Sequence, residues 1–375
     1  MFLALRELRF ARARFGLMGG VVALIAVLTV LLSGLSSGLV EDGVSGLKRL
    51  PVTAFAFGDG TKTDSAFSRS VIDDQQVQAW RRQPGVADAA PFGNFLVNAH
   101  SDSGVPVDLA LFGVEPDSFL APAASAGSGL ADPDGLVVSS TALDAGLNIG
   151  DTVTIDRLGT TLRVVGATAD QHTFGHVDVA FVPLRTWQEI HAGTRPGDTP
   201  SAQTYTEATA VALQALPGSE LDLAAGDAAA GTSSVPLEES FASSPGFSAE
   251  TSTLSLIQVF LYAISALVVG AFFTVWTIQR KHEIAVLRAL GAPTSYLLRD
   301  GLAQALMLLV AATAVGAVAG FGVGALIGGG VPFTLDPTAV LTASALLIVL
   351  GLLGSAAAIA RIASVDPLTA LGGAR

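Results

Sequence analysis

The sequence contains no cysteine, so no disulfide can brace any part of it. Charge is also scarce. Asp, Glu, Lys and Arg make up 14% of its 375 residues, against about 25% in an ordinary soluble chain. Half of the residues are hydrophobic and the mean hydropathy is +0.57. Charge is missing altogether from four runs, 15–40, 251–279, 301–335 and 337–360. A spanning helix needs about 20 apolar residues, so each run is long enough to cross a membrane. A nucleotide-binding motif is missing too. Gly58-Asp59-Gly60-Thr61-Lys62-Thr63 lacks the spacing of a phosphate loop and reads as a surface turn. If ATP is used, a partner must bind it. No Ser/His/Asp or paired-carboxylate arrangement stands out, and the net charge of −12 argues against nucleic acid as a partner.

The few cationic residues give an orientation. Segments 1–14, 280–300 and 361–375 hold ten Lys/Arg against four acids, a net of +6. The rest of the chain holds ten against 28, a net of −18. Positive flanks stay in the cytoplasm. The predicted order is a cytoplasmic amphipathic helix at 1–14, a first span at 15–40, an extracellular domain at 41–250 and a second span at 251–279. A cytoplasmic segment at 280–300 follows, then a third span at 301–330, a short outer loop at 331–337, a fourth span at 338–361 and a cytoplasmic tail at 362–375. The chain is thus expected in the plasma membrane with both termini inside, in contact with lipid. The first apolar run has 26 residues, beyond the roughly 7–15 of a signal-peptide core, and is read as a retained helix.

The large outer segment has a mixed α+β pattern. Strands are expected at Val52–Phe57, Val105–Phe112, Gly135–Ser139 and Val177–Val182, with a hairpin from Val153–Asp156 to Thr161–Gly166. Helical stretches are expected at Gln75–Gln83, Thr141–Gly146 and from Thr186-Trp187. The Ala/Gly/Ser-rich stretches 121–129 and 224–234 read as loops.

Few side chains in this pattern invite chemistry. His172 and His176 stand at i, i+4, a spacing that could share a metal on a helix. Gly175 and the flanking strand pattern make this a loop instead, and no third ligand stands out. Polar groups inside spans carry weight because burial there is costly: Gln258, Tyr262 and Gln304, with Trp276 as an interfacial anchor. Glu41, Asp42, Glu250 and Asp336 mark the outer ends of the spans. Gly316, Gly320, Gly324 and Gly328 recur every four residues along the third span, a smooth face for close approach to another helix.

The segment from Arg280 to Ala292 follows 29 uncharged residues. Its Ile284, Leu287 and Leu290 can face a membrane or groove, while Lys281, Glu283 and Arg288 can meet a soluble protein. Gly291 suits the position after a helix end, and Pro293 stops continuation.

These residues resemble the FtsX/MacB-type permeases of ABC transporters. The similarity rests on Arg280-x-x-Glu283-Ile284-x-x-x-Arg288-Ala289-x-Gly291-Ala292 and on Val365-Asp366-Pro367-x-x-Ala370-Leu371 after the last span. It rests also on Leu147-x-x-Gly150-Asp151-x-Val153-x-Ile155 and Phe181-Val182-Pro183-Leu184 in the outer part. The start, Met1-Phe2-Leu3-Ala4-x-x-Glu7-Leu8-Arg9, with Gly34-Leu35-x-x-Gly38-Leu39, is similar to the heme-exporter permeases (HrtB-type) of Gram-positive bacteria. The resemblance implies four transmembrane helices, with the extracellular α+β domain inserted between helices 1 and 2. It implies a homodimer working with two cytoplasmic ATPase subunits that carry ATP-Mg. Arg280, Lys281, Glu283, Ile284, Leu287, Arg288 and Gly291 would form the coupling segment. Heme would be the transported ligand and no cofactor would be intrinsic. An FtsX-like role in controlling an external partner, or export of another amphiphile, lipoprotein or peptide, is the alternative it leaves. Haem iron accepts Tyr or Met as well as His. All five His lie outside the spans, so Tyr262, with Glu250 and Glu41 as carboxylates, are the candidate heme contacts.

Reversing charge in the coupling segment tests its role. Glu283→Lys and Arg288→Glu are each expected to lower ATPase association or stimulation by about tenfold, the order of a lost interfacial charge pair, with membrane insertion unchanged. Co-purification and ATPase assays read the outcome; unaltered coupling in both variants removes the assignment.

Overall fold

The computed structural model describes residues 12–279, 286, 291, 293–327 and 331–363. The chain divides into two units: Met1–Gly38 with Thr251–Arg375, and Leu39–Glu250. Helix α1 (Arg12–Lys48) opens the described chain. It runs eight residues past the expected end of the first span, through Gly43 and Gly46. Glu41 pairs back onto Lys48 at 3.0 Å and Arg49 at 2.7 Å. Such exposed pairs contribute at most about 1 kcal/mol each.

The inserted domain is α+β. Its elements are β1 (Ala54–Gly58), β2 (Ile72–Asp73), α2 (Asp74–Arg81), β3 (Val86–Ser101), β4 (Pro106–Val114), β5 (Ala126–Gly127) and β6 (Gly135–Val138). Then come α3 (Ser140–Asp144), β7 (Thr152–Ile155), β8 (Thr161–Ala167), β9 (Thr173–Phe174), β10 (Val177–Pro183) and α4 (Leu184–His191). The last are β11 (Glu207–Ala208), β12 (Ala210–Ala215), α5 (Leu223–Ala230) and β13 (Thr232–Pro236). The main sheet runs β13-β1-β12-β3-β4-β10-β6-β8-β5, and β7 pairs both β3 and β8. The pairings β3–β4–β10–β6–β8–β7–β3 therefore close a ring. Two of its ladders, β10 with β4 and β6 with β8, are parallel.

Alternation along the ring strands supplies two cores. In β4, Leu109 and Leu111 face one core while Ala110 and Phe112 face the other. In β10, Ala180 and Val182 join the first set, Val179 and Phe181 the second. A strand buried on both faces reads as a continuous apolar run, as Val179–Val182 does. The second core is phenylalanine-rich. Phe55, Phe67, Phe92, Phe112, Phe174 and Phe181 meet edge-on or tilted, with ring centroids 4.9–6.0 Å apart.

Three expectations fail in this domain. The stretch 121–129, expected as a loop, contains the short strand β5, which pairs β8. The stretch 224–234, expected as a loop, is helix α5 followed by strand β13. Alanine is the strongest helix former, the Asp222 side chain caps the first turn by accepting from Ala225 N at 3.0 Å, and Gly231 closes it at φ +64°. The longest strand, β3, was not expected at all. Pro91, Gly93, Asn94 and Asn98 punctuate its sequence, yet it pairs β12 through its first half and β4 through its second.

The remaining helices are α6 (Phe247–Gln279), α7 (Thr294–Leu326) and α8 (Pro337–Ala363). With α1 they are the four helices in the described chain long and apolar enough to cross a membrane. Helix α7 starts ahead of the span expected from 301 and ends before Gly328-Gly329-Gly330, a run of poor helix formers. Phe15, Met18, Val22 and Ile25 of α1 recur at three- and four-residue spacing and pack with Val269 and Phe273 of α6, Leu309 of α7 and Leu347 of α8.

Small residues set the closest approaches in this unit. A Cβ at Gly316 would strike the Ala23 carbonyl, and one at Gly320 would lie 2.9 Å from Val30 Cβ. One at Gly324 would lie 2.6 Å from the Phe333 ring. Gly328 lies outside the described residues. The connection before α8 folds onto α1: Phe333 fills the notch at Gly34, the Pro332 carbonyl lies over Gly38, and Thr334 N donates to Gly34 O at 3.1 Å.

These notches make a graded prediction. Gly38→Val forces side chain onto backbone and is expected to destabilise by about 1–3 kcal/mol. Gly322→Ala meets nothing within 4 Å and is expected to be neutral or to stabilise by up to about 1 kcal/mol. Thermal unfolding of the two variants in one detergent reads the contrast.

Candidate functional site

The chain enters the inserted domain along the end of α1 and leaves it at the start of α6. Between these, the β9–β10 hairpin turns through Gly175 and His176, at φ +59° and +65°. Two positive φ values are what a two-residue hairpin turn of type I′ demands. His176 is the one non-glycine residue at positive φ among the described residues. The turn carries its ring between two carboxylates. Nδ1 lies 2.9 Å from Asp42 Oδ2 on α1, and Nε2 lies 3.1 Å from Glu250 Oε2 on α6. Gln171 Nε2 donates to the other Asp42 oxygen at 3.1 Å. Beneath the ring, Ser45 Oγ accepts from Thr173 N at 2.9 Å and shares a 2.7 Å bond with Thr173 Oγ1, both buried. Gly43 O accepts from Gly175 N at 2.9 Å.

Electrostatics follow from this packing. Burial alone would lower the His176 pKa, but the Asp42 hydrogen bond and the Glu250 charge outweigh it and raise the pKa above the ordinary value. His172, four residues away, is lowered by burial, against a bond to the Asp170 carbonyl at 2.9 Å. Asp178 is raised by burial, although Thr141 and Ser139 donate to it.

The residues singled out in the sequence fall as follows. His172 and His176 point to separate partners across the hairpin, and no group of three or more His, Asp or Glu among the described residues is arranged to hold a metal. Glu41 is engaged by Lys48 and Arg49, and Glu250 by His176. Tyr262 is half-buried against the core of the helical unit, twelve residues beyond Glu250 along α6. Gln304 is buried and donates to Asp300 at 3.0 Å. Arg280, Lys281, Glu283, Ile284, Leu287 and Arg288 lie outside the described residues; Gly291 has φ +91°. Sequence reasoning treated Asp42 as a boundary mark and Glu250 as a boundary mark and candidate heme contact, and missed that one histidine would meet both. A signal was present: Gly175-His176 just ahead of the strand pattern from Val177 suits a tight turn, which puts His176 at a tip.

A second feature lies within the inserted domain. A cavity of about 660 Å³ is lined by Asp74, Glu115, Asp132, Asp134 and Glu189 among others, with the Arg185 guanidinium 4.1 Å above the Tyr205 ring. Tyr205 donates to Glu189 Oε1 at 2.6 Å, and that bond raises its pKa.

Residues 13–230 match the MacB-like periplasmic core domain, and residues 255–367 match the FtsX-like permease C-terminal domain. A protein of Staphylococcus epidermidis named as a hemin transport system permease, HrtB, is 23% identical over the whole of this chain and 99% of its own length. An uncharacterized ABC transporter permease of Mycobacterium tuberculosis is 24% identical over the same shares. The crystallised periplasmic region of MacB from Actinobacillus actinomycetemcomitans is 12% identical, covering 50% of this chain and 89% of that one, with a TM-score of 0.36.

Proposed function

This chain belongs to the FtsX-like permeases with a MacB-like periplasmic core domain, a membrane-embedded ABC transporter subunit and not an enzyme, and we propose that it exports heme. The family implies a cytoplasmic ATPase partner. In this reading two such subunits, each with ATP-Mg, dock on the 280–292 segment of a homodimer whose termini lie in the cytoplasm and whose inserted domain lies outside. Nucleotide-driven closure moves the spans as rigid bodies, and the amphiphilic cargo leaves the membrane as they move.

The observation that supports heme as cargo is the end-to-end alignment with the staphylococcal hemin permeases, which leaves no domain of either chain unmatched. The uncharacterized mycobacterial relatives align equally fully and speak for the permease, not for the cargo. Within the chain, Tyr262 is the favoured iron contact. A phenolate is an established haem ligand, and Tyr262 lies in an apolar helix while Glu41 pairs with Lys48 and Arg49 and Glu250 hydrogen-bonds His176.

Hemin titration of the full chain in lipid nanodiscs, followed at the Soret band, tests both levels. Saturable binding is expected, weakened about tenfold, or ~1.4 kcal/mol, by Tyr262→Phe and little changed by Glu41→Gln. Retained affinity in Tyr262→Phe removes that contact; absence of saturable binding to the wild type removes heme as cargo.

A further inference from the structure

We propose that His176 is a proton-binding site that joins the beginning of the inserted domain to its end. With the proton in place, one imidazolium ties Asp42 of α1 and Glu250 of α6 to the hairpin tip; without it, one of the two is released. The inference goes beyond the transport reading and is independent of the cargo.

The argument is geometric. Both ring nitrogens face carboxylate oxygens, at 2.9 and 3.1 Å. A neutral imidazole has one N–H and one lone pair, so it can donate to only one of them. At the other nitrogen a lone pair would meet the lone pairs of an anion. An imidazolium donates to both, and each bond is then charge-assisted. The backbone adds a second observation. His176 occupies a left-handed position that glycine or asparagine would fill at lower cost. The side chain held there is the one that reaches both carboxylates.

The surrounding charges are accounted for. Asp42 faces the ring from α1 and also accepts from Gln171; Glu250 faces it from the start of α6. Glu41, the neighbour of Asp42, is covered by Lys48 and Arg49. Asp178, two residues along β10, accepts from Thr141. His172, before β9, bonds Thr168 and the Asp170 carbonyl. The cation standing between Asp42 and Glu250 is therefore the His176 ring itself.

The sign follows from the raised pKa of His176. Its stabilising contribution is fully present below the unfolded value of about 6.5 and is lost as pH rises through the folded value. His172 and His191 are lowered by burial and act in the opposite sense, weakening the fold as pH falls. A difference between the wild type and a His176 variant cancels both.

The experiment is thermal unfolding of the full chain in lipid nanodiscs from about pH 5.5 to 8.5, across the histidine range. His176→Asn preserves the turn, because asparagine tolerates its backbone conformation. The wild type is expected to unfold roughly 2–4 °C higher than this variant at the acid end, the size of a small change in a domain of this length. That gap should close as pH rises. Asp42→Asn and Glu250→Gln each remove an anion that retains the proton, so their loss of stability should begin at lower pH than in the wild type. A gap that is constant with pH overturns the proposal, as does a transition that neither carboxamide moves. Should His176→Asn not fold, amide hydrogen exchange of residues 171–178 in the wild type and Glu250→Gln decides. Exchange that accelerates at lower pH in the variant supports the proton site, and identical profiles overturn it.

Discussion

An imidazole with a carboxylate on each nitrogen fixes where the inserted domain begins and where it ends. A domain placed between two helices must return its chain close to where it left. Here Asp42 and Glu250, more than two hundred residues apart, lie within hydrogen-bond distance of one ring. The ring is not carried on a loose loop. It sits on a two-residue turn into β10, and β10 is paired on both sides, to β4 and β6. The buried Ser45–Thr173 bonds seat the same hairpin against α1. Asp42 and Glu250 thus both bond a residue that borders a strand of the ring.

The helical unit meets a different constraint. Lipid offers no hydrophobic drive for one helix to prefer another, so packing depends on close fit. Glycines supply it: Gly316 and Gly320 bring α7 against α1, and Gly270 and Gly354 bring α6 against α8. The connection to α8 uses the same device, with Phe333 seated at Gly34. These contacts have little slack, which suits elements that shift as rigid bodies better than elements that bend.

Much of the architecture was legible in the sequence because its signals are local. The charge-free runs and the apolar run Val179–Val182 need no knowledge of tertiary contacts. Strand β3 was hidden because its pairing partners, not its own propensities, hold it extended. Helix α5 was hidden because an alanine-rich stretch looks alike as helix or linker until its Asp222 cap and Gly231 stop are noticed. The junction was half legible. Its three ionisable residues were each noticed, His176 as half of a metal pair with His172, Asp42 as a boundary mark, and Glu250 as a boundary mark and candidate heme contact. What joins them is a long-range convergence set by the ring topology, and no local spacing encodes it. The coupling segment is the reverse case: its sequence is the most suggestive in the chain, and most of it lies outside the described residues.

In the proposed transport cycle, nucleotide-driven movement of α1 and α6 reaches this junction. The most direct measurement is amide hydrogen exchange on the full chain, reconstituted in nanodiscs with its ATPase, with and without a non-hydrolysable ATP analogue. The account predicts altered exchange at residues 39–48 and 171–178 when nucleotide is bound. Unchanged exchange in both segments, with the ATPase bound and active, would contradict it.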